Sequence, residues 1–204
     1  MARTVDPQRH EARRLQIIDA AITVIAARGY ERATTAAICR EARIGSGTFF
    51  HYFPTKAELL VAILRLGTTE AEDLRTRLNE QDDPVVALDL VVEQAITDAE
   101  DPRVAGFVRA VATVMSEPAI AAALEAEEQA QRGILVECIV RAQQSGQVRT
   151  DLSADRLASW LRLLLDGFLE QIATAPAFTA QREGPVLREA VRAVLTGPTS
   201  VRGT

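Results

Sequence analysis

The residues with the clearest chemical potential lie between Ile38 and Leu60, in the stretch ICREARIGSGTFFHYFPTKAELL. A helix that begins near Ser46 would present unpaired backbone N–H groups to an anion, and Gly47 has no β-carbon to keep a phosphate away. Hydroxyl, imidazole and ammonium groups follow within the same short segment. We therefore expect contacts with a phosphate polyanion from Ser46, Gly47, Thr48, His51, Tyr52 and Lys56.

The charge of the chain is unevenly distributed. Residues 1–56 contain nine basic and five acidic residues, a net charge of +4, although the whole chain has a net charge of −5. The remaining 148 residues carry 14 bases and 23 acids. This asymmetry indicates that the first quarter of the chain binds a polyanion and that the rest has another role.

The sequence offers no set of residues that would support catalysis. Its only histidines are His10 and His51, and no glycine-rich phosphate loop is present. Cys39 and Cys138 each fall inside a predicted helix without a second metal-ligating residue nearby, which favours a role in the core. We predict a protein that is not an enzyme and that needs no metal or cofactor.

Apolar residues recur at three- and four-residue steps throughout, and no window alternates with the two-residue period of a strand. The chain is therefore predicted to be all-α, with about nine helices. The first is expected from Glu11 to Arg28, and later ones are expected after the acid–proline pairs that end at Pro84, Pro102 and Pro118. Further predicted starts are the capping residues Thr34 or Thr35, Gly45 or Ser46, Thr55 and Ser153, and the ninth helix is expected from Glu183 to Leu195.

A long helix followed by two short ones forms a three-helix unit that contains a helix-turn-helix, whose third helix enters the DNA major groove. Phe49 and Phe53 are four residues apart and should pack inward, which leaves the polar residues of the third helix facing DNA. Thr34 and Thr35 could donate to phosphate, although one of them is equally explained as a helix cap. His51 could instead be an ordinary surface histidine, and His10 is expected in a basic arm before the first helix.

The stretch from Gly29 to Leu60 resembles the N-terminal signature of the TetR family of transcriptional regulators. The matching residues are Gly29, Tyr30, Thr34, Thr35, Ile38, Ala42, Gly47, Thr48, Tyr52, Phe53, Thr55, Lys56 and Leu59. The family usually has glycine at the position of Arg43, serine at that of Gly45, and tyrosine at that of Phe50. Arg43 is therefore predicted to adopt a left-handed conformation and to lie at the DNA surface, and Phe50 removes one expected phosphate contact.

The resemblance implies a homodimeric repressor that binds a palindromic DNA operator and is released by a small-molecule effector. The wide apolar stripe of the eighth helix and the apolar ninth helix suit a four-helix dimer interface. The residues predicted to form it are Leu161, Leu164, Leu165, Phe168, Val191 and Val194. The residues predicted to line an effector pocket are Phe107, Met115, Trp160 and Phe168, although apolar residues at helical spacing also form ordinary core.

The resulting hypothesis divides the chain at the change of charge. Residues 1–56 form a helix-turn-helix DNA-binding domain, residues 57–197 form a helical domain for effector binding and dimerisation, and residues 198–204 form a mobile tail. The expected partners are double-stranded DNA, a second copy and an unidentified effector, with no membrane and a cytoplasmic location. The alternative is a helical ligand-binding or adaptor protein of the same fold that no longer binds DNA specifically, which the substitutions at Arg43, Gly45 and Phe50 would explain.

Overall fold

The computed structural model describes residues 7–197 and is built from helices, which confirms the predicted all-α class. Within these residues there are nine helices and no strands. They are α1 (Pro7–Arg28), α2 (Thr35–Glu41), α3 (Ser46–Tyr52), α4 (Lys56–Asn79), α5 (Pro84–Asp98), α6 (Val104–Ala112), α7 (Pro118–Gln144), α8 (Ala154–Thr174) and α9 (Ala180–Thr196). The predicted tail, 198–204, lies outside the described residues.

Several helix starts are fixed by side chains that the sequence had indicated. The hydroxyl of Thr34 accepts a hydrogen bond from the N–H of Ala37 at 3.2 Å, and that of Thr55 accepts from Glu58 at 3.1 Å. Ser153 accepts from the N–H of Arg156 in the same way. Each bond satisfies an N–H that would otherwise lack a partner at the first turn of its helix, typically stabilising the helix by ~1 kcal/mol.

Three helices begin elsewhere than predicted. The first starts at Pro7 instead of Glu11, because proline fits a first helical turn, so His10 lies within α1 and not in an arm. The sixth starts at Val104, since the carboxylate of Asp101 accepts from the N–H of Arg103 at 2.8 Å and holds a turn before it. The ninth starts at Ala180, where Thr179 caps it, and Pro185 lies inside the helix.

The helices pack around two hydrophobic cores. The first joins α1, α2, α3 and the start of α4 to α6 and the beginning of α7. The second joins the later part of α4 to α5, α7, α8 and α9. Because α4 contributes Leu59, Leu60, Ile63 and Leu64 to the first core and Ala71 and Leu78 to the second, it connects them, as α7 also does.

Candidate nucleic-acid interface and ligand cavity

The turn between α2 and α3 is closed by a left-handed residue, as predicted for Arg43, whose φ is 53°. The N–H of Arg43 donates to the carbonyl of Arg40 at 3.2 Å, and the N–H of Ile44 donates to that of Cys39 at 2.9 Å. These bonds satisfy two carbonyls at the end of α2. Glycine adopts this conformation without a steric cost, whereas for Arg43 the left-handed conformation costs about 1 kcal/mol.

The short helix α3 is anchored on one side and exposed on the other. Phe49 and Phe53 are buried in the first core, as predicted from their spacing. Gly45 is the N-cap, and no atom approaches within 4 Å of where a β-carbon of Gly47 would stand. The first turn of α3 is therefore open to an incoming group. The polar residues on this open side are the exposed Ser46 and His51, together with the half-buried Thr48 and Tyr52.

Residues of α1 support this face through aromatic contacts. The ring centroid of His10 lies 4.6 Å from that of Tyr52 and 6.2 Å from that of His51. Gln16 donates from its side-chain amide to the carbonyl of Ala42 at 2.8 Å, which ties α1 to the end of α2. The orientation of α3 thus depends on α1, and His10 belongs to the supporting layer.

Lys56 and the two threonines have structural partners within the unit. The Lys56 ammonium donates to the carbonyl of Tyr30 at 2.8 Å and lies 4.1 Å from the centroid of that ring. A second, longer contact of 3.5 Å reaches the carbonyl of Glu31, leaving one of the three N–H groups for another acceptor. The exposed Thr34 accepts its capping bond through the hydroxyl oxygen, so its O–H can still donate to a phosphate, as can that of the half-buried Thr35 at the start of α2.

The unit formed by α1, α2 and α3 contacts the rest of the molecule closely between α1 and α6. A β-carbon at Gly106 would lie 2.3 Å from the carbonyl oxygen of Ala26, so only glycine permits this approach. Beside it, the guanidinium of Arg103 donates to Asp19 at 2.6 Å and to Asp101 at 2.7 Å. Packing and an ion-pair network therefore fix α1 against α6.

A cavity with a volume of about 650 Å³ lies among α4, α5, α7 and α8. Its apolar walls are formed by Ala71, Leu74, Val91, Ala95, Ile134, Leu135, Leu165 and Leu169. Its polar lining consists of Glu70, Asp73, Arg77, Gln94, Asp98, Glu127, Gln131, Arg162 and Asp166, with Gly67 on α4. A volume of this size accommodates a small organic molecule.

Carboxylates dominate the electrostatics of the cavity. Burial raises the pKa of Glu127, the negative charges of Glu70 and Asp166 raise it further, and Arg162 opposes them. Burial also raises the pKa of Asp166, which Arg162 partly offsets, and that of Glu70, where Asp98 and Asp73 add to the effect. Removing a charged carboxylate from water is unfavourable, which is why burial is the largest cause of all three raised pKa values.

Comparison with known proteins identifies the fold and its class of function. A family model described as "Bacterial regulatory proteins, tetR family" matches residues 17–63, and one described as "BetI-type transcriptional repressor, C-terminal" matches residues 84–196. The second match alone covers more than half of the chain. The chain belongs to the TetR family. It is therefore a DNA-binding transcriptional regulator with a helix-turn-helix and not an enzyme, as the sequence predicted.

Individual relatives of this TetR-family chain agree over nearly its whole length. HTH-type transcriptional regulator UidR of Escherichia coli K12 is 27% identical over 186 residues, which are 90% of this chain and 91% of UidR. The structure of Salmonella enterica GusR has a TM-score of 0.71 at 25% identity and covers 94% of this chain and 98% of its own. FadR from Bacillus subtilis, solved with stearoyl-CoA, has a TM-score of 0.77 at 19% identity, over 91% and 99% of the two chains, and shows the fold alone.

None of the residues predicted for the effector pocket of this TetR-family protein lines the cavity. Phe168 is buried in the second core, 5.6 Å from Phe178 between ring centroids, and Phe107 packs against the first core. Met115 and Trp160 are exposed. The structure places these four residues in the cores or on the surface and not at this cavity, and which residues bind the effector stays a prediction.

The predicted dimer contacts need a similar correction. Leu161, Leu165, Phe168 and Val191 are buried inside this chain's own core and cannot reach a second copy, while Leu164 and Val194 are half-buried. The residues exposed on the outer side of α8 and α9 are instead Trp160 at 50%, Leu163 at 59% and Val186 at 56%. We call these three the outer apolar face. The stripe predicted on α8 therefore faces mainly this chain's own core, and which residues form the dimer interface stays a prediction.

Sequence reasoning missed the cavity residues altogether. One signal was available: Gly67 lies in the interior of α4, where glycine lowers helix stability by about 1 kcal/mol relative to alanine. The cavity carboxylates give no comparable signal, because acidic residues on a helix usually form a solvated face. No helix of the described part of the chain is long and apolar enough to cross a membrane.

Proposed function

We propose that this protein is a homodimeric repressor that binds a palindromic DNA operator and is released when a small molecule occupies the cavity of residues 67–169. The observation that carries the proposal is the course of α4. Its first two turns lie in the core of the helix-turn-helix unit, and its later turns supply Gly67, Glu70 and Leu74 to the cavity wall. A displacement of α4 by a ligand is thereby transmitted to the DNA-binding unit.

Contact with DNA is assigned to the open side of α3 and the residues around it. The N-terminal turn at Ser46 and Gly47 suits a phosphate, and His51 is placed to contact base edges. The remaining contacts in this proposal are Thr35, Arg43, Thr48, Tyr52 and the free N–H of Lys56, with Thr34 as the cap of α2. The proposal puts the domain boundary at the start of α4, near residue 56, and the location in the cytoplasm, where the protein would have access to chromosomal DNA.

Dimerisation is assigned to the outer apolar face. Trp160 and Leu163 are exposed and three residues apart on α8, so they are neighbours on one helix face. Adjoining exposed apolar side chains mark an interaction surface, and Trp160 is of the residue type most enriched at the centre of interfaces. A second copy is the occupant that suits a palindromic site, because a two-fold dimer presents two α3 helices to half-sites about 34–36 Å apart. Heterologous partners would not impose that symmetry.

The first experiment is selection from a random library of duplex DNA with the purified chain at near-physiological salt. A palindromic consensus with half-sites about one helical turn apart would support the proposal. No enrichment, from protein shown to be folded and dimeric, would contradict it and favour the adaptor alternative. A fall in affinity with rising salt is also expected, because phosphate contacts release counterions.

Two variants assign the contacts once an operator is known. Arg43→Ala should weaken binding to all sequences and lower the salt slope by about one, whereas His51→Ala should alter the preferred sequence. Arg156→Ala removes an exposed cation from α8, far along the chain from the helix-turn-helix, and serves as the control that should leave affinity unchanged. If all three variants bind DNA like the unmodified chain, the docking of α3 is wrong.

A further inference from the structure

The cavity has a strong excess of negative charge. Five carboxylates but only two guanidinium groups belong to its lining. Within residues 7–197 a single ion pair joins two lining residues, that between Arg162 and Asp166 at 2.5 Å. In the same part of the chain, Glu70, Asp73, Asp98 and Glu127 have no arginine or lysine partner.

The most buried of these carboxylates, that of Glu127, occupies space that a side chain at residue 67 would otherwise fill. Glu127 is half-buried, and one of its oxygens stands only 2.5 Å from where a β-carbon of residue 67 would lie, so Gly67 gives it room. Its protein hydrogen bond is a long one, 3.3 Å, from the amide of Gln131. A half-buried carboxylate with so few partners is costly unless a positive group pairs with it.

The positive groups of the lining do not cancel this charge. Arg162 donates from its two terminal nitrogens to Asp166 and to the side-chain oxygen of Gln131, while its buried Nε has no partner among the described residues. Arg77 is exposed and lies on α4 seven residues beyond Glu70. Among the described residues, Arg77 is the one guanidinium of the lining without an ion pair, against four carboxylates without one.

From the apolar walls and the uncompensated carboxylates together, we propose that the cavity binds an organic cation with a bulky apolar body, such as a lipophilic amine or quaternary ammonium compound. Glu70 and Glu127 face its charge, and the leucines of α4 and α8 contact its body. The role of this cation as the effector rests on the proposed function. Its binding to the cavity does not.

A metal ion would not use this lining. The donors are spread over four helices, and no three metal-ligating side chains in residues 7–197 are grouped closely enough to hold an ion. The wall also offers a large apolar surface that a bare ion would leave uncovered. An organic cation places its charge near the carboxylates and its hydrocarbon against the leucines, and both contributions favour binding.

The test compares two ions of nearly the same shape and opposite charge, tetraphenylphosphonium and tetraphenylborate. Binding of each to the full chain is measured by isothermal titration calorimetry without DNA. We expect the phosphonium to bind at least tenfold more tightly than the borate. Glu127→Gln should reduce this preference severalfold, and Glu70→Gln should act in the same direction.

The matched control is Glu125→Gln, which removes the same charge from an exposed position two residues earlier on α7 and outside the cavity lining. It should leave the preference unchanged. Equal binding of the two ions, binding of neither, or equal effects of the Glu127 and Glu125 variants would overturn the proposal. Because no DNA is present, these results are independent of the operator selection, and failure of either proposal can be recognised by itself.

Discussion

The contact between α1 and α6 can be tested by adding one methyl group, in the variant Gly106→Ala. The new β-carbon would lie 2.3 Å from the carbonyl oxygen of Ala26 and 2.9 Å from its carbonyl carbon. Both are backbone atoms that cannot rotate away, so the two helices must separate by about 1 Å to reach an ordinary contact. Overpacking of this kind costs about 1–3 kcal/mol.

Replacing a glycine inside a helix also stabilises that helix, by about 1 kcal/mol, and this gain must be separated from the clash. Gly133→Ala provides the control, because it makes the same change inside α7 and its β-carbon would meet no atom within 4 Å. The difference between the two variants should therefore equal the overpacking cost, with Gly106→Ala the less stable by about 1–3 kcal/mol.

The assay is thermal and urea unfolding of both variants at equal protein concentration, followed by circular dichroism. For a chain of this length, each kcal/mol corresponds to about 2–4 °C in Tm. Because α1 supports α3, Gly106→Ala should also change DNA affinity, whereas Gly133→Ala should not. Equal stability of the two variants would refute the close approach of α1 and α6.

Three further predictions concern the turn, the cavity and the outer apolar face. Arg43→Gly should raise the free energy of unfolding by about 1 kcal/mol, because glycine removes the left-handed strain, and should weaken DNA binding in a filter or anisotropy assay; a loss of stability would contradict the assigned turn. Burial and neighbouring carboxylates raise the pKa of Glu127 in the folded state, so its charge lowers stability above that pKa. This destabilisation should disappear as the pH falls through the raised pKa of Glu127. Unfolding curves should therefore show the unmodified chain gaining stability relative to Glu127→Gln as the pH is lowered; a difference in unfolding free energy that does not change with pH would contradict the prediction. Leu163→Glu should shift the chain towards monomer in analytical ultracentrifugation, while Val86→Glu, at another exposed apolar position, should not; equal behaviour would remove the outer apolar face from the interface.

Features set by neighbouring residues were predictable from the sequence. The capping roles of Thr34, Thr55 and Ser153 depend on a side chain and an N–H two or three residues away, and the sequence displays both. The left-handed Arg43 followed from the resemblance to the TetR family, which usually has glycine at this position of the turn. Local chemistry and a specific spacing therefore determined the helix-turn-helix.

The cavity could not be predicted in this way, because its lining comes from four helices separated by long stretches of chain. Glu70 and Glu127 are 57 positions apart in sequence and become neighbours only when α4 packs against α7. The inner and outer sides of α8 posed a related problem. Leu161 and Leu163 are both leucines on a helix with apolar residues around most of its circumference, and only the positions of α7 and α9 decide which is buried.

The arrangement of α4 and α8 explains how one cavity could influence both DNA binding and assembly. On α8, Leu165 and Leu169 line the cavity, whereas Leu163 of the outer apolar face points to the other side of the same helix. A ligand that pushes on one side of a rigid helix moves the other side with it. On α4 the cavity residues and the DNA-binding core share one helix in the same manner, while the tight contact at Gly106 resists sliding of α1 over α6. Under the proposed function, the response to a ligand is therefore expected to be a rotation of the helix-turn-helix unit about the α1–α6 contact, driven from α4.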